Sequence, residues 1–154
     1  YAYLLRAGQW SARGFWIGIT ILIAAEAVME IISIRAGLWA YYDDQPFVIA
    51  DFPIHVAVIV ACMSLIYGAI ARLWFERIHG LQQVLFVGIT PLVLIATFTV
   101  FTYPVALGLE AQGGVSAARV GSLASMLLCL LVTPPIVKRL TDMAASNARN
   151  TAQI

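Results

Sequence analysis

The chain has 154 residues, of which 62% are hydrophobic and only 11% charged, with a mean hydropathy of +0.90. A soluble domain usually carries about 25% charged residues, so this composition excludes a water-covered globule and leaves lipid or partner subunits as solvent for most of the surface. The net charge of +1 and the lack of a basic stripe interleaved with aromatics exclude a nucleic-acid binder.

Four apolar stretches reach the roughly 20 residues a helix needs to cross hydrocarbon. They run over about 14–34, 53–75, 81–103 and 115–137, and predict an all-α, four-helix transmembrane bundle forming a single domain over 1–154. Backbone groups in lipid must be satisfied within the segment, so runs of this length are read as helices rather than barrel strands. The apolar run after Arg13 is expected to span, not to act as a cleaved signal.

The first span holds Glu26 and Glu30, four residues apart and hence stacked on one helix face. A carboxylate at mid-helix costs about 2.5–3.5 kcal/mol on insertion scales, and two on one face repel, so at least one is expected to hold a proton. Such acids usually face a bundle interior or a wet cavity and mark function; the bland reading is a polar clamp to a neighbouring helix.

After this span come Gly37-Leu38-Trp39-Ala40-Tyr41-Tyr42 and the Asp43-Asp44-Gln45-Pro46 turn, then Asp51, Phe52, Pro53 and His55 at the start of the second span. Glu30 and His55 should therefore lie at similar depth, with Glu26 a turn deeper. A pocket lined by Glu26, Glu30, Asp51 and His55 as acid–base candidates is expected, roofed by Trp39, Tyr41 and Tyr42. Tyr67 and Tyr103 are further candidates for substrate contact. The same four acid–base residues have ligand types that suit iron or zinc, but no E-x-x-H pair or His cluster supports a metal, and no cofactor is predicted.

Pro91, with Gly88 before it, marks a bend in the third span. In the fourth, Gly114, Ala118 and Ser122, and likewise Ala117, Gly121 and Ser125, recur every four residues and make a small-residue face for close helix contact, within the chain or with another membrane subunit. Pro134-Pro135 is expected to loosen or end that helix, and 138–154 to form a polar cytoplasmic tail. Cys62 and Cys129 fall at depths about five residues apart, which disfavours a disulfide and reads as packing.

Basic residues set the orientation. Arg6, Arg13, Arg72, Arg77, Lys138, Arg139 and Arg149 fall on one side and only Arg35 and Arg119 on the other, which predicts both termini in the cytoplasm. Trp16, Trp39, Tyr41, Tyr42, Trp74, Phe75 and Tyr103 lie where amphipathic rings prefer the interface.

The order of these features resembles the AveC-type spirocyclase family of bacterial membrane proteins. The likeness rests on the acidic first helix with Glu26 and Glu30, the Gly37-Leu38-Trp39-Ala40-Tyr41-Tyr42 stretch, the Gln45-Pro46 turn, the Phe52-Pro53 opening of the next helix, and Tyr103-Pro104-Val105-Ala106-Leu107. It covers about residues 15–110. The resemblance implies a protein of the bacterial cytoplasmic membrane that performs acid-catalysed (spiro)cyclisation of a lipophilic substrate, without a cofactor. Two other classes fit the residues: a non-catalytic accessory subunit of a larger membrane complex, and a proton or small-solute carrier using the same carboxylates.

Overall fold

The computed structural model describes residues 11–41, 44–74, 77–111 and 113–151. Four helices carry the fold: α1 (Ala12–Arg35), α2 (Ile54–Trp74), α3 (Leu81–Glu110) and α4 (Gly114–Thr151). Each contains a stretch long and apolar enough to cross a membrane, so the chain is a multi-pass membrane protein. Arg6, Tyr42 and Phe75, used above for orientation or as interface anchors, and Asp43 of the turn lie outside the described residues.

Local chemistry sets the ends of α1. Ser11 caps its start, its hydroxyl accepting from the Gly14 N–H at 3.2 Å. At its end Gly37 turns left-handed (φ 71°). Its N–H then reaches the Ile34 carbonyl and that of Leu38 the Ser33 carbonyl, the paired closure of a Schellman motif. The chain therefore doubles back over the last turns of α1.

Before α2 it makes a small antiparallel hairpin, β1 (Val48–Ile49) with β2 (Phe52–Pro53), pairing Val48 with Pro53 and Ile49 with Phe52. The two turn residues, Ala50 and Asp51, both take positive φ (51° and 65°), as the tight hairpin turn matching strand twist requires. Neither is glycine.

The central helix is α2, which contributes to all three hydrophobic clusters. Far from the hairpin, Phe15 and Ile19 of α1 meet Ala61, Leu65 and Ala69 of α2 and Val137 and Leu140 of α4. At mid-depth Ile59 and Cys62 pack with Phe101 of α3 and Cys129 of α4. Below the hairpin, Phe52, Val56 and Ala57 pack against Ile23, Ala27, Ile31 and Ile34 of α1 and Phe98 of α3.

The small-residue face of α4 is filled by α3 of the same chain. Ala118, Gly121, Ser122 and Ser125 are buried. A Cβ on Gly121 would collide with the Pro104 carbonyl, and one on Gly108 with the Ala117 carbonyl. Backbone thus approaches backbone, as small residues allow in a membrane.

Three expectations need correction. Helix α3 does not stop at Tyr103 but runs through Pro91 and Pro104 to Glu110. Helix α4 does not end at Pro134 and Pro135 but continues to Thr151, so the polar stretch after 137 is part of the helix. Proline removes one donor but is tolerated where neighbouring groups re-satisfy the backbone.

The two cysteines are also not offset in depth. Cys62 Sγ lies 4.0 Å from the Cys129 carbonyl, and the Thr133 hydroxyl donates to that carbonyl at 2.7 Å while lying 3.8 Å from Cys62 Sγ. The longer α3–α4 pair projects past the start of α2, which brings Cys129 level with Cys62. Both remain free, buried packing residues.

Replacing Gly121 by Leu should destabilise the α3–α4 pair by about 3 kcal/mol, the upper range of overpacking. Gly88→Leu, at a position open on α3, should be near neutral. Denaturant unfolding of the detergent-solubilised protein separates the two; equal stability would mean that the close approach is not a constraint.

Candidate functional site

The site starts from the two glutamates. Glu30 is five residues before the end of α1 and Glu26 nine, so they lie about 7 and 14 Å below it. Both are half-buried and share the inward stripe of α1 with Phe15, Ile19 and Ser33. The Schellman turn brings the returning chain over them. Trp39 Nε1 donates to Glu30 Oε2 at 2.9 Å and the Tyr41 hydroxyl to the same oxygen at 3.1 Å.

Two hydrogen bonds to a charged acceptor contribute about 1.5–3 kcal/mol each. That is the magnitude needed to offset the cost of a carboxylate near the membrane. Glu26 has no hydrogen bond among the described residues, and lies close enough to Glu30 and Tyr41 for the three to influence one another through space.

Tyr41 is itself held on a second side. Its ring meets Phe52 of β2 edge-on, with centroids 6.0 Å apart. Burial, then the charge of Glu30 and its hydrogen bond, then the charge of Glu26, push the Tyr41 phenol up from its ordinary value of 10.0. Tyr41 therefore remains a donor to Glu30 throughout neutral pH.

The pocket expected from sequence is thus assembled in part. Glu26, Glu30, Trp39 and Tyr41 come together. Asp51 instead sits exposed at the hairpin turn, and its positive φ explains why: it is a turn residue. His55 is buried at 2% exposure and engages the Pro46 backbone, with Nδ1 unpartnered, so it braces the base of the hairpin. Tyr42 lies outside the described residues.

Tyr67 is thirteen residues into α2, about 20 Å deeper than its start. There it hydrogen-bonds the Thr90 hydroxyl and stacks on Phe86, linking α2 to α3. Tyr103 is 60% exposed on α3 and faces outward. Among the described residues no group of three His, Cys, Asp or Glu side chains is placed to hold a metal, so Glu26, Glu30, Asp51 and His55 do not converge as the alternative of a metal site would need.

Sequence reading missed the convergence of Trp39 and Tyr41 on one carboxylate oxygen. The signal was present in Ala36-Gly37, a helix-stop pair that folds the next residues back. It also missed the open flank of the site. Near the hairpin α1 packs on α2, β2 and Phe98, with no α4 residue among the described ones in that cluster, whereas α4 shares the cluster around Phe15 and Ile19, which reaches up α1 to Leu22 and Ile23. Ala25, Val28, Met29 and Ile32 of α1 are exposed beside the glutamates. The carboxylates therefore lie next to the surface that lipid would cover.

No protein-family model, curated protein or solved structure matches this chain.

In a spectroscopic alkaline titration, Tyr41→Phe should remove the phenolate step at the highest pH. Glu30→Gln should move that step down towards the ordinary range, because the charge is lost while burial remains. The folded-state value is raised, so the stabilisation from this contact is fully present below pH 10.0 and is lost as pH climbs past it. A step that Glu30→Gln leaves in place would break the assigned link.

Proposed function

We propose that this chain is a membrane-embedded acid catalyst that cyclises a lipophilic substrate, in the manner of a spirocyclase. The single observation that supports the reading is a carboxylate, Glu30, gripped by Trp39 and Tyr41, with a second carboxyl one turn deeper in a membrane-crossing helix. Two acids in such different surroundings divide the work. Glu30, with two donors on one oxygen, serves as the carboxylate. Glu26, deeper and without a donor among the described residues, carries the proton.

For a substrate bearing an enol ether and a free hydroxyl, Glu26 protonates the enol-ether carbon and an oxocarbenium ion forms. The internal hydroxyl adds to it, closing the new C–O bond, and gives up its proton to Glu30. Proton return between the two carboxyls restores the starting state, and no external reactant is consumed. Glu30 and the indole face of Trp39 stabilise the developing cation.

The open flank of α1 lets a lipophilic substrate arrive from the bilayer. In this reading the protein belongs to the bacterial cytoplasmic membrane with both termini on the cytoplasmic side, supported by the distribution of basic residues. A reporter fused to the C-terminus should be active only in the cytoplasm; periplasmic activity would reverse the topology.

Glu26→Gln and Glu30→Gln should each lower conversion of a hydroxyl-bearing enol ether to its spiroketal at least a hundredfold, in line with the roughly 10²–10⁴-fold contribution of a positioned acid or base. The double variant should abolish it with expression intact. Unaltered turnover in the double variant ends the catalytic reading.

A second reading, an accessory subunit of a membrane complex, is favoured by one observation: few residues in the apolar span of α3 are fully buried within the chain. Stoichiometric co-purification with a larger assembly, together with instability of the isolated chain, would select it.

A further inference from the structure

The segment between α1 and α2 carries apolar side chains that the bundle does not cover. Leu38, Trp39, Phe47, Val48 and Ile49 are all exposed, Ile49 at 57% and Leu38 at 68%. In a water-facing loop this is a poor arrangement, since exposed apolar clusters mark contact with a membrane or partner.

The backbone accepts strain to present them. Phe47, Ala50 and Asp51 all have positive φ without being glycine, at about 1 kcal/mol or more each. The surroundings over-determine the shape: Pro46, Phe52 and Pro53 are buried at its base, and the Ile54 N–H donates to the Phe47 carbonyl at 3.2 Å. The hairpin is thus rigidly built on its inner side and apolar on its outer side.

We propose that this hairpin, with Leu38 and Trp39 beside it, is a lip that inserts into the headgroup–acyl boundary of the bilayer. Lipid is favoured over a protein partner by continuity. The exposed apolar side of α1, at Val28, Met29 and Ile32, leads through the Schellman turn directly to Leu38 and Trp39, and β2 runs without a break into α2. The patch therefore adjoins surface that already faces hydrocarbon. Trp39 suits that depth, with an apolar ring in the boundary and its N–H satisfied by Glu30. Asp44 is exposed on the same loop and stays on its wet side. The inference does not depend on the catalytic reading.

The test places a nitroxide label at Ile49→Cys in the full chain, in phosphatidylcholine nanodiscs holding one copy each. Val48→Cys serves as a second site should the first variant misfold. Val28→Cys supplies the lipid reference, Asp44→Cys the aqueous one, and the unsubstituted chain the background from the buried Cys62 and Cys129. Labels at 48 and 49 should be relaxed by oxygen several-fold more than by a water-soluble nickel chelate, as at 28, with the ratio inverted at 44. Chelate-dominated relaxation at 48 and 49 would place the hairpin in water. Shielding from both reagents would mean that protein covers it. Either result overturns the proposal.

Discussion

A carboxylate placed inside a membrane helix must be given hydrogen-bond donors or a proton, and the hairpin side of this molecule is organised by that requirement. Glu30 cannot take donors from its own helix, whose N–H groups are already committed to the backbone ladder. The donors come from residues nine and eleven positions later, Trp39 and Tyr41. Bringing them back requires α1 to stop at once, which Gly37 accomplishes by turning left-handed. It also requires a fixed platform for Tyr41, which Phe52 supplies from the hairpin. Helix stop, loop, hairpin and carboxylate form one connected device.

The remainder of the fold follows a different logic, the close packing of backbones. Gly108 and Gly121 let α3 and α4 approach until carbonyl oxygens fill the space of the missing side chains. Neither helix alone shows a strong polar face, so the pairing depends on shape. With α2 held between this pair and α1, the bundle has a tight side and a loose side, and the glutamates lie on the loose one. Exposure of α1 beside Glu26 is then a result of where the small residues fall.

Much of the architecture was legible in the sequence because hydropathy over 20 residues is a strong signal. The starts of α2, α3 and α4 fall within a residue of their expected places. The ends of α3 and α4 did not: both helices run on through Pro104 and Pro134-Pro135, of which Pro104 is half-buried and the pair at 134 and 135 exposed, because a proline inside a membrane helix need not end it. The site was legible as a list of residue types and less so as a geometry. Spacing four apart placed Glu26 and Glu30 on one face, and the aromatic stretch was correctly drawn to them. Asp51 and His55 were included on depth alone, and depth does not fix direction: one ended on a turn and the other against the Pro46 backbone. Tyr67 and Tyr103 belong to helices whose rotation no local pattern specifies.

The unequal lengths of the helices have one more consequence. The 21 residues of α2 measure about 32 Å, close to the roughly 30 Å thickness of bilayer hydrocarbon, whereas the 30 residues of α3 measure about 45 Å. A pair locked backbone to backbone cannot shorten, so α3 and α4 meet the mismatch together, by leaning as a unit or by standing proud of the surface. Since α2 is packed against both, a change in membrane thickness would be felt as relative tilt between the α3–α4 pair and the α1–α2 pair. That makes the seam beside α2 the natural place for lipid composition to act on this protein.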